Sequence, residues 1–181
     1  MKKLAIATMV ALFALPATAS NWYVQGDLGK SNLRADIGIN NVDVLNDKVK
    51  TLRLSVGYRS GNLRIAGDYT KFGNAAFNLP DVGTSVSLKT RALGLSAIYD
   101  FNNSSNLTPY IGARLSSNKY TAVATGRYDD SESASSMGIG LLGGVQYRLG
   151  QHLSLNTNLE YNRIAQDVGQ FGLHAGLRFD F

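Results

Sequence analysis

The stretch FGLHAGLRFDF (residues 171–181) alternates strictly. Phe171, Leu173, Ala175, Leu177, Phe179 and Phe181 occupy its odd positions. Gly172, His174, Gly176, Arg178 and Asp180 occupy the even ones. Period-two alternation over this length predicts a β-strand with one apolar and one polar face. It also sets a question, which face meets which solvent, because the last residue is a bare phenylalanine.

Working back through the chain, seven further stretches alternate in the same way: Trp22–Ala35, Val49–Ser60, Leu63–Phe72, Leu88–Phe101, Leu107–Ser116, Met137–Leu149 and Leu153–Ile164. With Phe171–Phe181 they make eight, each at or slightly above the ~9–11 residues of a tilted membrane strand. The connections alternate in length. Those around Gly61 and at 102–106 and 150–152 are short, those at 36–48, 73–87 and 117–136 are long, and 165–170 is a smaller fourth loop. This layout predicts an all-β fold, an eight-stranded antiparallel up-and-down transmembrane β-barrel with short periplasmic turns and longer extracellular loops.

Ahead of the strands, MKKLAIATMVALFALPATAS (residues 1–20) carries two lysines, an apolar run from Leu4 to Leu15 and Ala17-Thr18-Ala19. That is the pattern of a secretory signal peptide, cleaved near Ala19/Ser20 and leaving 20–181 as the barrel. Without Lys2 and Lys3, 16 basic residues face 13 acidic ones, a net of +3. So mild an excess gives no argument for nucleic acid. There is no cysteine, which excludes thiol chemistry and disulfides.

Alternation alone allows two barrels. A soluble, lipocalin-like barrel turns its apolar parity inward, and a membrane barrel turns it outward. Three features favour the membrane. The polar parity is small and glycine-rich, as a crowded lumen requires. Tyr58, Tyr99, Phe101, Tyr147, Phe179 and Phe181 gather at the short-turn ends, where an interfacial girdle belongs. The apolar parity holds no charge in mid-strand; its Lys30, Lys71, Arg91 and Arg163 fall at the long-loop ends. A one-residue slip would move Asp27, Arg53, Asp68, Arg114, Glu160 and Arg178 into lipid, where each basic group costs ~2–4 kcal/mol at the midplane.

An eight-stranded barrel leaves an interior just wide enough to fill with side chains. Asp27, Arg53, Asp68, Arg114, Glu160 and Arg178 are therefore expected to pair across the lumen, for example Arg178 with Glu160 or Asp27, because unpartnered buried charges are costly. The expected result is a plugged barrel; a narrow pore is the alternative.

Charge is also distributed unevenly. The four loops sum to −5, leaving +8 on the rest of the chain after the leader. Much of this excess lies at the loop-side rim, in Lys30, Arg34, Lys50, Lys71, Lys89, Arg91 and Arg163. That depth matches the phosphorylated headgroups of lipopolysaccharide, an expected partner together with outer-membrane lipid. Snorkelling bases on a wetted rim would leave the same pattern. Two loops carry apolar tips, Ile37, Ile39, Val42, Val44 and Leu45 in one and Phe72, Phe77 and Leu79 in the other. Such patches suit a partner or a hydrophobic ligand, or loops that cover one another. Asp129, Asp130 and Glu132 lack EF-hand spacing, and a solvated loop is expected there.

The phrases NWYVQGDLG, VGYRSGNLRIAGDYTKF, LSAIYDF, PYIGARLS, GVQYRLGQHLSLNTNLEYNRI and HAGLRFDF together resemble the opacity family of small outer-membrane proteins. The resemblance covers nearly all strands and turns but not the long loops. It implies an integral outer-membrane location and insertion by the barrel-assembly machinery, which reads a final strand ending in phenylalanine, here Phe179 and Phe181. It also implies a porin-like barrel, with adhesion to a host surface or matrix molecule through the loops. No loop residue is carried over as a receptor contact.

Three motifs point elsewhere. GIGLLG (138–143) matches a dinucleotide fingerprint but lacks the helix that must follow. His152, Ser154 and Glu160 could serve a lipid A-modifying hydrolase, except that His152 sits in a periplasmic turn. Lumenal His174 could instead contact Glu160 and be satisfied there. Asn102 and Asn106 match glycosylation sequons but read as turn residues. The expectation is a non-enzymatic surface binding protein without cofactor or metal. A narrow solute channel is the second reading and the hydrolase a third.

Overall fold

The computed structural model describes residues 21–35, 48–73, 75–79, 84–101, 105–125, 130–165 and 168–181. Its strands are β1 (Trp22–Ala35), β2 (Lys48–Ser60), β3 (Leu63–Phe72), β4 (Ala75–Leu79), β5 (Thr84–Asp100), β6 (Leu107–Thr125), β7 (Asp130–Arg148), β8 (Leu153–Ala165) and β9 (Val168–Asp180). Neighbours pair antiparallel throughout. β1 pairs with β9 and β3 with β5, so eight strands close into a ring.

The ninth strand, β4, stands outside that ring. It pairs only with the start of β5, from Ala75↔Leu88 to Leu79↔Thr84. Most of the stretch expected as a loop at 73–87 is therefore a hairpin above the membrane. The expected loop at 117–136 shortens in the same way. β6 and β7 stay in register from Ser117↔Met137 up to Ala124↔Asp130, so Asp130 and Glu132 lie in β7. The physical reason is a change of solvent. Once both faces of a strand meet water, the sequence no longer needs to alternate, while the backbone ladder continues unchanged.

Face assignment follows the membrane reading. Leu54 and Leu95 are 49% and 56% exposed, whereas Arg53, Asp68, Arg114 and Glu160 are buried. β3 alternates exposed and buried along its whole length. The interior is polar, and the one apolar cluster among the described residues is Ile98, Tyr110 and Leu142. Outside, leucines, isoleucines and valines give way at the short-turn end to aromatic pairs, Trp22 on Tyr58 at 5.4 Å and Tyr99 on Phe101 at 5.3 Å. That end is trimmed tightly. Ser60 pairs with Leu63 across a two-residue turn in which Gly61 has φ 60°, a left-handed conformation that suits glycine. The opening strand finds its place here too, since Phe181 N–H donates to Trp22 O at 3.0 Å. The terminal phenylalanine is thus part of the aromatic girdle, its ring 5.4 Å from that of Phe179.

Candidate functional site

Inward positions on β2, β3, β6 and β8 bring four charges together in the middle of the barrel. Arg114 grips Asp68 with two prongs, Nε to Oδ2 at 2.9 Å and Nη2 to Oδ1 at 2.6 Å. Its Nη1 donates to Glu160 Oε1 at 3.1 Å. Arg53 Nη1 lies 2.6 Å from Glu160 Oε2, and Arg53 Nε lies 3.7 Å from Asp68 Oδ1. Neutral groups fill in the remaining bonds. Arg53 Nε donates to Thr70 Oγ1 at 3.0 Å, Thr70 donates to Asp68 Oδ1 at 2.9 Å, and Asn162 donates to Glu160 Oε1 at 2.7 Å. Two cations and two anions so held form a neutral lattice across the lumen, the arrangement in which buried charges are tolerated.

Space for this lattice is made on β5. A Cβ at Gly94 would stand 2.6 Å from both Nε and Nη2 of Arg114, so the Asp68–Arg114 pair occupies the room of the missing side chain. Gly57 likewise admits the ring of Tyr23. GIGLLG lies inside β7 as strand, where Gly140 makes way for Asn162.

The other two expected lattice members lie elsewhere. Arg178 reaches neither Glu160 nor Asp27. It pairs in register with Ser154, six residues along β8 from Glu160, roughly 20 Å at strand rise. Its guanidinium bonds Asp180 through Nε and Nη2, and Gln146 Oε1 through Nη1 at 3.0 Å. Asp27 accepts from Gln25 at 3.0 and 2.9 Å and from Asn156 at 3.2 Å. Asn156 in turn accepts from the Tyr110 hydroxyl at 2.7 Å.

Sequence reasoning missed a second charged group near the periplasmic end. Arg64 donates to Asp100 Oδ1 at 2.9 and 2.7 Å, and Arg59 lies 3.6 Å from Asp100 Oδ2. The guanidinium carbons of Arg178 and Arg64 lie 3.8 and 5.7 Å from the Tyr23 ring centroid, and Arg64 also sits 4.8 Å from that of Tyr110. Parity carried the signal: Arg64 shares its face with Asp68, and Asp100 shares its face with Ser96. Their positions at strand ends hid them.

Away from the central lattice the interior is less completely paired. His174 Nδ1 lies 3.1 Å from Asn158 Oδ1, not from Glu160 as expected. Its Nε2, Ser31 Oγ, Thr51 Oγ1 and Asn162 Oδ1 are buried and find no protein partner. The hydrolase constellation does not assemble. His152 is exposed, its Nδ1 2.9 Å from the Asp180 carbonyl, while Glu160 lies far along β8 from Ser154.

On the outer face of the loop-side rim, Lys30, Lys50, Lys71, Arg91 and Arg163 are all exposed. Lys119, absent from the sequence reading, joins them on β6. Arg34 and Lys89 are strand residues of β1 and β5 whose side chains lie outside the described set, as do those of Phe77 and Leu79 in β4. Ile37, Ile39, Val42, Val44, Leu45 and Asp129 lie outside the described residues altogether. Phe72 is corrected: it ends β3 on the parity of Asp68 and Thr70 and is buried, so it is no loop-tip contact.

Comparison with known proteins agrees with this geometry. The family described as "Opacity family porin protein" matches residues 56–181. An uncharacterized protein of Haemophilus influenzae is 46% identical over 185 residues, covering 100% of both chains. "Protein opa" of the same organism is 36% identical, covering 70% of this chain and 100% of its own length. The crystal structure of Neisserial surface protein A superposes with a TM-score of 0.71 at 34% identity, covering 88% of this chain and 97% of that one. The chain belongs to the opacity family and is an integral β-barrel of the outer membrane.

Proposed function

We propose that this barrel is a rigid, closed support for a surface binding protein, whose extracellular loops engage a host surface or matrix molecule. The observation that supports this reading is the set of ion pairs joining Arg53, Asp68, Arg114 and Glu160 across the middle of the lumen. A solute path through it would have to separate buried ion pairs. What remains free to meet another molecule is the cell-surface end, where β5, β6 and β7 run to 17, 19 and 19 residues. Residues 1–19 belong to this reading as a removed export signal, and the final aromatic strand as the handle for barrel assembly.

The test has two arms. Purified barrel in planar bilayers is expected to show no steady conductance. Cells whose residues 36–47 and 74–83 are replaced by short linkers are expected to lose binding to host surfaces while keeping the folded barrel. Steady large conductance would overturn the closed support, and undiminished binding would overturn the loop assignment. The channel reading draws on the buried polar atoms of Ser31, Thr51, Asn162 and His174 that have no protein partner, groups that internal water would satisfy. On that reading the same bilayer recording gives a steady current.

A further inference from the structure

The basic rim is not an even ring. Lys30 pairs directly with Lys50 across β1 and β2. Lys71 pairs directly with Arg91 across β3 and β5, and Arg91 pairs directly with Lys119 across β5 and β6. Lys50 stands two residues above Leu52, the register partner of Lys71, so the two groups join diagonally. Five bases on five adjacent strands thus form one continuous arc. All five side chains are exposed and share the outward parity. Like charges placed directly opposite on neighbouring strands repel and destabilise a sheet. Here this happens three times in succession, and among the described residues none of the five has a carboxylate within 4.0 Å. The other wall of the barrel is different. Outward positions at the top of β7, β8 and β9 hold Met137, Tyr161 and Phe171, with Arg163 as the one base there among described side chains.

Directly below the arc the same strands present hydrocarbon. Leu28, Leu52, Tyr69 and Leu93 lie two residues below Lys30, Lys50, Lys71 and Arg91 on the same face, and Leu28 and Leu93 are more than 60% exposed. Cationic groups therefore lie at headgroup depth over a lipid-facing apolar wall. The row Lys71–Arg91–Lys119 spans two interstrand steps, about 10 Å, enough for two phosphates bridged side by side. Phosphate is the group that satisfies clustered lysine and arginine most strongly.

We propose that Lys30, Lys50, Lys71, Arg91 and Lys119 form a one-sided binding arc for the phosphates of an outer-leaflet glycolipid, with its acyl chains lying on the wall below. This assignment is independent of what the loops bind and of whether the lumen conducts. The lipid neutralises repulsion that the bare barrel carries. The arc therefore predicts both binding and a lipid-dependent gain in stability.

The experiment compares the refolded full barrel with Lys71→Gln/Arg91→Gln/Lys119→Gln. A control, Arg148→Gln, removes a base at the opposite end of the barrel. Native mass spectrometry reads retention of bisphosphorylated, monophosphorylated and dephosphorylated lipid A and of inorganic phosphate, at low and high salt. Thermal melting is followed in detergent with and without each. The triple variant is expected to retain about tenfold less bisphosphorylated lipid A or lower still, with the control unchanged. Monophosphorylated lipid should bind less tightly, and salt should weaken both. In lipid-free detergent the triple variant should melt no lower than the parent, showing that it folds, and only the parent should gain stability from lipid A. Equal retention by parent and triple variant would overturn the proposal, as would equal binding of lipid stripped of phosphate. Displacement of the lipid by millimolar inorganic phosphate would assign the arc to free anion instead, and would overturn the lipid assignment.

Discussion

Glu160 is the residue on which the interior lattice turns, because it is shared by Arg53 and Arg114. Glu160→Gln leaves two buried cations with only Asp68 between them. Breaking a buried pair in this way costs about 3–5 kcal/mol, to be measured by urea unfolding in detergent through the single tryptophan, Trp22. Two glycines offer a sharper comparison. Gly94→Ala pushes a methyl into the Asp68–Arg114 pair and should cost ~1–3 kcal/mol by the same assay, as overpacking does. Gly67→Ala on the lipid face meets nothing within 4 Å and should stay within about 0.5 kcal/mol of the parent. Parity made Asp27, Arg53, Asp68, Arg114, Glu160 and Arg178 legible as interior residues, and all six are buried. Their partners were not legible. Alternation says which face a residue occupies, whereas pairing depends on height, and height depends on the stagger between strands. Arg178 fell outside the central lattice for that reason, whereas Asp27 stands in register with Arg53 and is bonded by Gln25 and Asn156 instead.

At the scale of the element, each strand in the membrane must show lipid a continuous apolar strip. Leu95 lies in the middle of that strip on β5, in register with Gly67 and Leu115. Leu95→Arg is expected to cost ~2–4 kcal/mol of barrel stability, read from the unfolding midpoint in phospholipid vesicles. β1 and β3 were legible to the residue, because both of their ends lie where alternation stops. β5, β6 and β7 were read four to nine residues short at their outer ends, and β4 was read as loop. Serine, threonine and alanine in those segments pair well as backbone without a buried face to mark them. The rim shows the same limit from another side. Its bases were visible from the charge count, but the arc became visible only when register placed Lys71, Arg91 and Lys119 in one row.

The whole molecule is a closed ring with one tall side. β3 has 10 residues and β8 and β9 have 13 each, against 17 to 19 for β5, β6 and β7. Closure through β1 and β9 leaves no strand edge in the bilayer, which hydrocarbon demands of any sheet that crosses it. The inequality of heights has a mechanical consequence. A load hung on the shared tip of β6 and β7 pulls both strands the same way along their axes, so the cross-strand bonds that tie the pair to β5 and β8 are sheared together and not peeled one at a time. Through Arg114 on β6 the pull passes to Asp68 and Glu160 on β3 and β8, spreading tension around the wall. A cell tethered by this side in flowing liquid would hang from the stiffest direction that a sheet possesses.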